Sequence, residues 1–344
     1  MKKYFVDNEK FKAFVSEDYN FTFDKVNGDF VRWGKDSNDD PIIAPFPEIA
    51  DIEISTVCSG IKGKTCKFCY KSNTSKGKNM SLETFKKVFS KLPKPLTQIA
   101  FGIGDVDANK DLFKIFKHTR DNGVIPNVTI NGDRLTSSIA EQLAKYCGAI
   151  AVSCYDKDLC YSVIKKLNKL GIKQTNIHFM LAEQTYEFAM EVLQDLKAIP
   201  ELKAVNAIVF LSLKQRGRAE KHFTRLSDEK FKTLVDFSLD NNIPLGFDSC
   251  TANKFLEAIK DNKDYTRIAT SVEPCESGIF SSYINVDGKY FPCSFCENIL
   301  EDFKEGLDVV TCNDFTKDIW NNEKNIKWRK RLNSCNRSCP VFNV

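Results

Sequence analysis

The chain has 344 residues, of which 42% are hydrophobic and 28% are charged, a balance typical of globular rather than disordered proteins. Its formal net charge of +4 comes from 50 basic and 46 acidic residues, and so mild a charge argues neither for nor against nucleic acid. No stretch approaches the roughly 20 apolar residues of a membrane span. The amino-terminal residues lack the apolar run of a secretory signal. We therefore expect a cytoplasmic protein with no membrane partner.

Cysteine is abundant in this sequence and histidine is scarce. Thirteen cysteines accompany only three histidines, His118, His178 and His222. In a reducing compartment such cysteines are metal ligands or catalytic thiols more often than disulfides. A large metal site in this chain must therefore be rich in sulfur, which favours iron–sulfur or zinc.

Strand-like apolar runs alternate with amphipathic helical patterns from about residue 49 to residue 250. Strands are predicted over 49–57, 97–103, 124–130, 148–154, 175–181, 205–213 and 243–249. Helices are predicted over 81–92, 110–123, 136–147, 158–170, 183–197 and 227–240. Ser81 is the predicted cap of the first helix, and Gly123 closes the second.

Strands separated in this way by helices predict an α/β fold with a parallel sheet. Six such units favour a partial (β/α)6 barrel of the TIM type, and a doubly wound open sheet is the alternative. In either architecture the active site lies at the carboxyl ends of the strands. Cys58, Gly102–Asp105, Asn131, Ser153 and Cys250 all follow predicted strand ends.

The pattern changes after residue 250. Six cysteines fall in the last seventy residues, at positions 275, 293, 296, 312, 335 and 339, and the Val286–Gly288 turn predicts a hairpin. We expect three parts: an amino-terminal cap or hairpin over 1–48, the barrel over 49–250, and a small module over 251–344. The core of this module looks too thin to be stable without a metal.

The segment "CSGIKGKTCKFCY" places Cys58, Cys66 and Cys69 directly after the first strand of the barrel, with gaps of seven and two residues. A [4Fe–4S] cluster held by three thiolates leaves one iron open to a small molecule, whereas a fourth cysteine would close the site. Three ligands therefore suit a cluster that binds a co-substrate at iron. A zinc site that takes its fourth ligand from elsewhere in the chain is the alternative.

At this loop the chain resembles the radical S-adenosylmethionine (SAM) enzymes, in which a strand runs into a three-cysteine loop with an aromatic residue before the last cysteine. Here Phe68 is that aromatic residue, and the gap of seven residues departs from the usual gap of three. The resemblance implies that Cys58, Cys66 and Cys69 bind a [4Fe–4S] cluster, and that SAM binds at its open iron. It also implies SAM-binding positions at Phe68, Gly102, Gly104, Asp105, Asn131, Ser153 and Arg216. Asp105 could equally be an ordinary acid at a helix amino terminus.

The carboxy-terminal module resembles the SPASM or twitch modules that carry auxiliary clusters in this family. The resemblance implies one auxiliary [4Fe–4S] cluster on Cys275, Cys293, Cys335 and Cys339, with Cys296 as an alternative ligand. Structural zinc on the same cysteines is a competing interpretation. Cys154 and Cys250 are either buried small residues or, on the sharper hypothesis, catalytic hydrogen-atom donors.

The resemblance implies an oxidoreductase or peptide-modifying enzyme. It would cleave SAM reductively to a 5′-deoxyadenosyl radical that abstracts hydrogen from a substrate. A peptide or protein substrate is expected, with a crosslink, a thioether, dehydrogenation or epimerisation as the outcome, and a flavodoxin- or ferredoxin-type reductant. The short amino-terminal part contains no obvious leader-peptide-binding domain, which keeps open the dehydrogenation of a small molecule. A non-SAM iron–sulfur carrier or binding protein is the alternative from another class. An RNA-modifying enzyme would need a basic face that the near-neutral charge does not clearly provide.

Overall fold

The computed structural model of the chain describes residues 3–342 and Val344, with Lys221 through its backbone alone. An antiparallel sheet of four strands opens the chain, in the order β1 (Tyr4–Asp7), β2 (Phe11–Val15), β3 (Asn20–Asp24) and β4 (Phe30–Trp33). The sequence predicts a cap or hairpin for this region, and the structure has two strands more than a hairpin.

Seven parallel strands follow in a second sheet, where each strand after the first pairs with the one before it in the chain. They are β5 (Ile49–Glu53), β6 (Gln98–Gly102), β7 (Ile125–Ile130), β8 (Ala149–Ser153), β9 (Gln174–Leu181), β10 (Ala207–Ser212) and β11 (Leu245–Phe247). The intervening helices are α1 (Leu82–Phe89), α2 (Leu112–Asp121), α3 (Ser137–Tyr146), α4 (Lys157–Lys169), α5 (Tyr186–Ala198) and α6 (Asp228–Asp240). The predicted α/β fold with a large parallel sheet is confirmed. Ser81 caps α1, since its side chain accepts the Thr84 amide at 3.1 Å.

The order of the strands decides between the two predicted architectures. From β5 to β11 the order in space follows the order in the chain without a reversal, whereas a doubly wound sheet reverses at its switch point. One face of these strands, including Ile52, Phe101 and Ile177, packs with the buried residues of the helices in a single large core. The doubly wound alternative is therefore wrong, and the helices cover one face of the sheet.

The remaining segments extend the same sheet beyond β5. Helices α7 (Ala252–Ala258) and α8 (Tyr265–Ala269) lead to β12 (Ser281–Ile284), which pairs in parallel with β5. The predicted hairpin joins β12 to β13 (Lys289–Phe291), and β14 (Leu307–Asp308) completes a sheet of ten strands before α9 (Glu323–Ser334). The carboxy-terminal module is therefore continuous with the parallel sheet through backbone hydrogen bonds.

The amino-terminal sheet packs near the amino ends of the parallel strands. The buried Lys12 ammonium donates to the Leu96 carbonyl at 2.6 Å, two residues before β6. Phe21 and Phe23 share a buried cluster with Ile125, the first residue of β7. This packing leaves the carboxyl ends of the strands free for the site. No helix among the described residues is long and apolar enough to cross a membrane.

Candidate active site at the three-cysteine loop

The three-cysteine loop leaves the sheet five residues after β5, and hydrogen bonds across its base hold it closed. The Cys58 amide donates to the Thr74 carbonyl at 2.9 Å, and the Thr56 amide donates to Lys78 at the same distance. Within the loop, the Cys69 amide donates to the Cys66 carbonyl at 3.4 Å. Because β5 lies between β6 and β12, the loop lies at the carboxyl ends of the parallel strands, away from the two outer strands of the sheet.

The three thiols lie close enough for their charges to interact. Burial raises the pKa of the Cys66 thiol to about 11, and the neighbouring Cys58 and Cys69 raise it further, whereas Arg218 opposes the rise. Burial likewise raises the pKa of Cys58. Gly60 lets the chain fold back, since its φ is +77° and a Cβ there would lie 1.9 Å from the Lys64 carbonyl oxygen. Three thiols on a loop without a fourth cysteine fit a cluster with one open iron.

The segment after β6 packs directly against Cys58 and its neighbours in the cysteine loop. A Cβ on Gly104 would lie 2.1 Å from the Val57 carbonyl oxygen and 2.6 Å from Cys58 Cβ. The buried Asp105 carboxylate accepts the Ser59 amide at 2.9 and 3.0 Å, and its own amide donates to Val57 at 2.8 Å. The structure thus places Gly104 and Asp105 directly against the loop. Gly102, at the end of β6, lies beside Glu53, with Glu53 Cα 3.2 Å from the position of a Cβ.

The other predicted SAM-binding positions lie around the same edge. The Asn131 side chain accepts the Asp133 amide at 3.0 Å in the turn after β7. Ser153 ends β8, and its backbone carbonyl accepts the Tyr155 amide at 3.2 Å. Phe68 packs edge-on against Tyr155, with ring centroids 4.8 Å apart. These three positions are spread over the loop, β7 and β8, at the carboxyl edge where the sequence predicts the site.

Arg216 is placed differently from the prediction, and a neighbouring arginine takes the position at the loop. The Arg216 guanidinium donates to three carbonyls of the carboxy-terminal module, at 3.1 Å to Ser294, at 2.9 Å to Phe295 and also to Glu297. Arg218 instead donates from Nε to the Cys66 carbonyl at 2.8 Å and from Nη1 to Asn73 at 3.1 Å. The donors of Arg216, a predicted SAM-binding residue, are thus engaged by the module. Two residues of register in the turn after β10 decide which arginine reaches which loop.

A cavity of about 630 Å³ adjoins the outer side of the loop, lined by Lys67, Ser72, Gly217, Arg218, His222 and Phe223. The Arg218 amide donates to the Cys69 carbonyl at 3.1 Å, so the wall of this cavity is attached to the cysteine loop. The lining contains no carboxylate, and its charged groups are basic.

A buried polar network, which sequence reasoning missed, joins the loop to the carboxy-terminal module. The Lys71 ammonium donates to the Tyr283 hydroxyl at 2.8 Å, lies 3.2 Å from Glu53 and also pairs with Glu297. The Tyr283 hydroxyl donates to Glu53 at 3.1 Å. Burial raises the pKa of Glu53, and Lys71 opposes that rise. Lys71 directly follows the three-cysteine motif, but nothing in the sequence links it to its partners. Glu53 lies 18 residues before Lys71, and the other two partners lie more than 200 residues after it.

The carboxy-terminal cysteines converge in a set that differs from the predicted one. Cys293 and Cys296 lie with their sulfurs 3.3 Å apart. The Cys250 thiol lies close enough to those of Cys275 and Cys339 to interact with both, and Cys339 is also close enough to Cys293 to interact electrostatically.

Two further cysteines direct their thiols to backbone carbonyls. The Cys335 thiol donates to the Leu332 carbonyl at 3.2 Å and to the Ser338 carbonyl at 3.1 Å. The thiol of Cys312 donates to the Val309 carbonyl at 3.3 Å. The thiol of Cys335, a predicted ligand, is thus directed to carbonyls around the end of α9.

Cys154, predicted as a possible hydrogen-atom donor, lies in the helix-side core. It is buried in the large core cluster and lies close enough to the Cys160 thiol of α4 to interact with it. Successive residues of a strand point to opposite faces, so Cys154 shares the side of Val152 and Ile150. This position favours the interpretation of Cys154 as a buried small residue over that of a hydrogen-atom donor.

Metal-binding geometry for a single ion is absent from the described part of the chain. No group of three or more His, Cys, Asp or Glu side chains there is arranged to hold one metal ion. The thiolates of an iron–sulfur cluster bind different irons, so they lie further apart than the ligands of one tetrahedral zinc.

The helix-free face of the parallel sheet is polar near its centre. Asp51 of β5 is exposed as a whole residue, but the surrounding protein desolvates its carboxyl group and raises the pKa of that group to about 6. Thr129 of β7 lies 3.4 Å from His178 Nδ1, and burial lowers the pKa of His178 to about 4. Small residues, among them Ala100 and Gly246, follow on the same face.

Comparison with known proteins shows the same fold in solved structures. Streptococcus suis SuiB bound to the precursor peptide SuiA has a TM-score of 0.72 and 12% identity, with 98% of each chain covered. SuiB bound to S-adenosylmethionine has a TM-score of 0.68 at the same identity and coverage. Native anSMEcpe with bound AdoMet and Cp18Cys peptide has a TM-score of 0.59 and 15% identity, with 83% of each chain covered. No protein-family profile and no curated sequence matches the chain.

Proposed function

We propose that the chain is a radical SAM enzyme with a peptide or protein substrate. The observation that carries this proposal is a loop with three convergent thiols at the carboxyl edge of a parallel sheet, supported by Gly104 and Asp105. The shared fold with SuiB and anSMEcpe, whose structures contain S-adenosylmethionine or AdoMet, supports the same assignment. A [4Fe–4S] cluster on Cys58, Cys66 and Cys69 would supply the electron that cleaves SAM to methionine and a 5′-deoxyadenosyl radical.

The residues around the loop would fix the cluster and the SAM. The Asp105 carboxylate accepts the Ser59 amide, and the Arg218 guanidinium donates to the Cys66 carbonyl. These hydrogen bonds would preorganise the loop for the cluster. Phe68, Gly102, Gly104, Asn131 and Ser153 remain the proposed SAM-binding positions. Asp105 would act through the loop, since its carboxylate is occupied by the Ser59 amide and lies 3.5 Å from Arg134.

A peptide substrate is favoured because the SuiB and anSMEcpe structures include complexes with peptides. The helix-free face around Asp51 and His178 would receive the side chain from which hydrogen is taken. Dehydrogenation of a small molecule is the alternative within the same chemistry. Transfer of deuterium from a labelled peptide into 5′-deoxyadenosine would distinguish the two substrate classes.

Binding of SAM at the open iron can be tested by spectroscopy without a substrate. Electron paramagnetic resonance spectra of the reduced, reconstituted protein should change when SAM is added. In a variant with Cys58, Cys66 and Cys69 all replaced by alanine, the remaining signal should not respond. An unchanged spectrum in the fully loaded protein would exclude SAM binding at iron and favour the electron-carrier alternative.

We further propose that an acidic electron carrier of the flavodoxin or ferredoxin type docks at the cysteine loop. Residues 58–78 contain six lysines and no acidic residue. Lys64, Lys67 and Lys76 are exposed there. Opposite charges raise the association rate, and salt screens them. The long first gap of the cysteine motif thus adds positive charge beside the proposed cluster.

Charge reversal at Lys64 and Lys76 would test this docking site. The double Lys64→Glu, Lys76→Glu variant should lose about tenfold in SAM cleavage driven by flavodoxin at low salt, but retain the rate driven by dithionite. Lys173→Glu is the matched control, because this exposed lysine precedes β9 at the opposite end of the sheet. Equal flavodoxin-driven rates in the double variant and the wild type would refute the proposed surface.

A further inference from the structure

The carboxy-terminal thiols gather around a residue that follows the last parallel strand. Cys250 lies in the short turn over Ser249–Thr251, directly after β11. Its thiol lies close enough to interact with those of Cys275, which precedes β12, and Cys339, near the carboxyl end. The Cys293–Cys296 pair after β13 lies beside the same group. The strand β11 and the module therefore contribute thiols to one place.

The position of Cys250 is fixed by the residue two places before it. The Asp248 carboxylate accepts the Thr251 hydroxyl at 2.5 Å and the Ser212 amide at 3.2 Å. The Thr251 amide donates to the Asp248 carbonyl at 2.8 Å. These bonds hold the turn that carries Cys250 against the end of β10. The thiol is thus held towards the module by the local backbone.

Buried positive charge stands next to the same thiols. Lys214 is 4% exposed, pairs with Asp248 and lies 4.9 Å from the centre of the Phe295 ring. Its ammonium is close enough to Cys250 and Cys339 to interact with both. A buried lysine is rare without a partner of opposite charge. A cluster with thiolate ligands would add negative charge here, which this ammonium partly offsets.

Two arginines hold the other thiols of the group in place. The Arg216 guanidinium binds carbonyls of Ser294 and Phe295 within the Cys293–Cys296 segment. The Arg337 guanidinium donates to the Cys275 carbonyl at 3.0 Å, and the Cys275 amide donates to the Arg337 carbonyl at 3.1 Å. This backbone is fixed on both sides of the thiol group. Such support is what a preorganised ligand set requires.

We propose that Cys250 is a ligand of the auxiliary [4Fe–4S] cluster and that Cys335 is not. Cys275 and Cys339 are two further ligands, and the Cys293–Cys296 pair supplies the fourth. Each of the four thiols loses its proton and forms one sulfur–iron bond, with iron and sulfide supplied in reconstitution. The cluster then links the last parallel strand to the module. This inference rests on the proposed auxiliary cluster but not on SAM chemistry.

Iron content and spectra of two cysteine variants test the proposal. Both variants are made in the protein that already carries alanine at Cys58, Cys66 and Cys69, so only the auxiliary site remains. This parent should hold about four irons per chain after anaerobic reconstitution. Cys250→Ala should lower the iron to about three or fewer, with the resonance of a three-iron cluster or no cluster signal. Cys335→Ala is the matched control and should keep about four irons and the spectrum of the parent.

The outcomes separate a ligand from a merely structural residue. Circular dichroism of each variant before reconstitution reports whether its fold survives, and Cys250→Ser, a smaller change in shape, repeats the test if the alanine variant unfolds. Unchanged iron and spectra in both Cys250 variants would overturn the proposal, as would loss of iron in Cys335→Ala. Zinc in place of iron in the parent would overturn it too. Because no SAM is added, failure here is distinct from failure of the proposed enzymatic function.

Discussion

Substitution of Gly104 should detach the three-cysteine loop while the protein stays folded. A Cβ at this position would lie 2.1 Å from the Val57 carbonyl oxygen and 2.6 Å from Cys58 Cβ. The first distance is about 1 Å inside ordinary contact. Both contacts belong to the base of the loop, where hydrogen bonds to Thr74 and Asp105 limit movement. In Gly104→Ala the start of the loop must therefore shift away from β6.

The magnitude of the effect follows from the size of this overlap. Overpacking of this kind costs about 1–3 kcal/mol, which a domain with about 5–15 kcal/mol of stability tolerates. A shift of about 1 Å at Cys58, however, exceeds the roughly 0.5 Å within which a preorganised site must hold its groups. We expect the iron content after reconstitution to fall from about eight to about four per chain.

The assay combines iron analysis with thermal unfolding followed by circular dichroism. Gly246→Ala is the matched control, because its Cβ would lie 3.5 Å from the nearest atom, Val209 Cγ2, in ordinary contact. This control should retain about eight irons. Retention of the same iron content in Gly104→Ala, with an unchanged Tm, would refute the close support of Cys58 by the β6 segment.

Two further predictions concern the arginines and the buried histidine. Arg218→Ala should lower the occupancy of the amino-terminal cluster, and Arg216→Ala should lower that of the auxiliary cluster, because each substitution removes charge-assisted hydrogen bonds worth about 1.5–3 kcal/mol each. Iron counts in variants that retain one cluster site check this prediction, and the reverse pattern would contradict it. His178 has a folded-state pKa of about 4, below the unfolded-state value of about 6.5. Between these two pH values the imidazole is protonated in the unfolded chain but neutral in the folded protein. The free energy of unfolding therefore decreases as the pH falls from about 6.5 to about 4. The full pKa shift corresponds to about 3 kcal/mol, and we expect a loss of about 1–2 kcal/mol after solvent screening. Urea unfolding at pH 7 and pH 4.5 should show a smaller loss of unfolding free energy in His178→Gln than in the wild type. An equal loss in both proteins would contradict the assignment.

The sequence predicts the parallel sheet well, because period-2 and period-3.6 patterns report which residues face the core. The same alternation could have placed Cys154 correctly. It shares the parity of Ile150 and Val152, which are buried against the helices, so the core position follows from the strand pattern alone. The predicted turn at Val286–Gly288 succeeds for a similar reason, since a hairpin depends on local residues.

The misplaced residues depend on contacts between distant segments. Arg216 and Arg218 are two residues apart, and only the path of the chain after β10 assigns one to the module and the other to the cysteine loop. Cys250 precedes Cys275 by 25 residues and joins its thiol group through the Asp248 turn, whereas Cys335 is directed to its own helix end. Spacing between cysteines carries no information about these directions.

The most direct test of the central claim is formation of 5′-deoxyadenosine from SAM. The protein would be reconstituted anaerobically with iron and sulfide, then mixed with SAM and dithionite beside the variant that lacks Cys58, Cys66 and Cys69. We predict 5′-deoxyadenosine from the wild type and none from the variant, which should retain about four irons. Absence of the product from a fully loaded wild-type protein, even with candidate peptides present, would contradict the proposed radical chemistry.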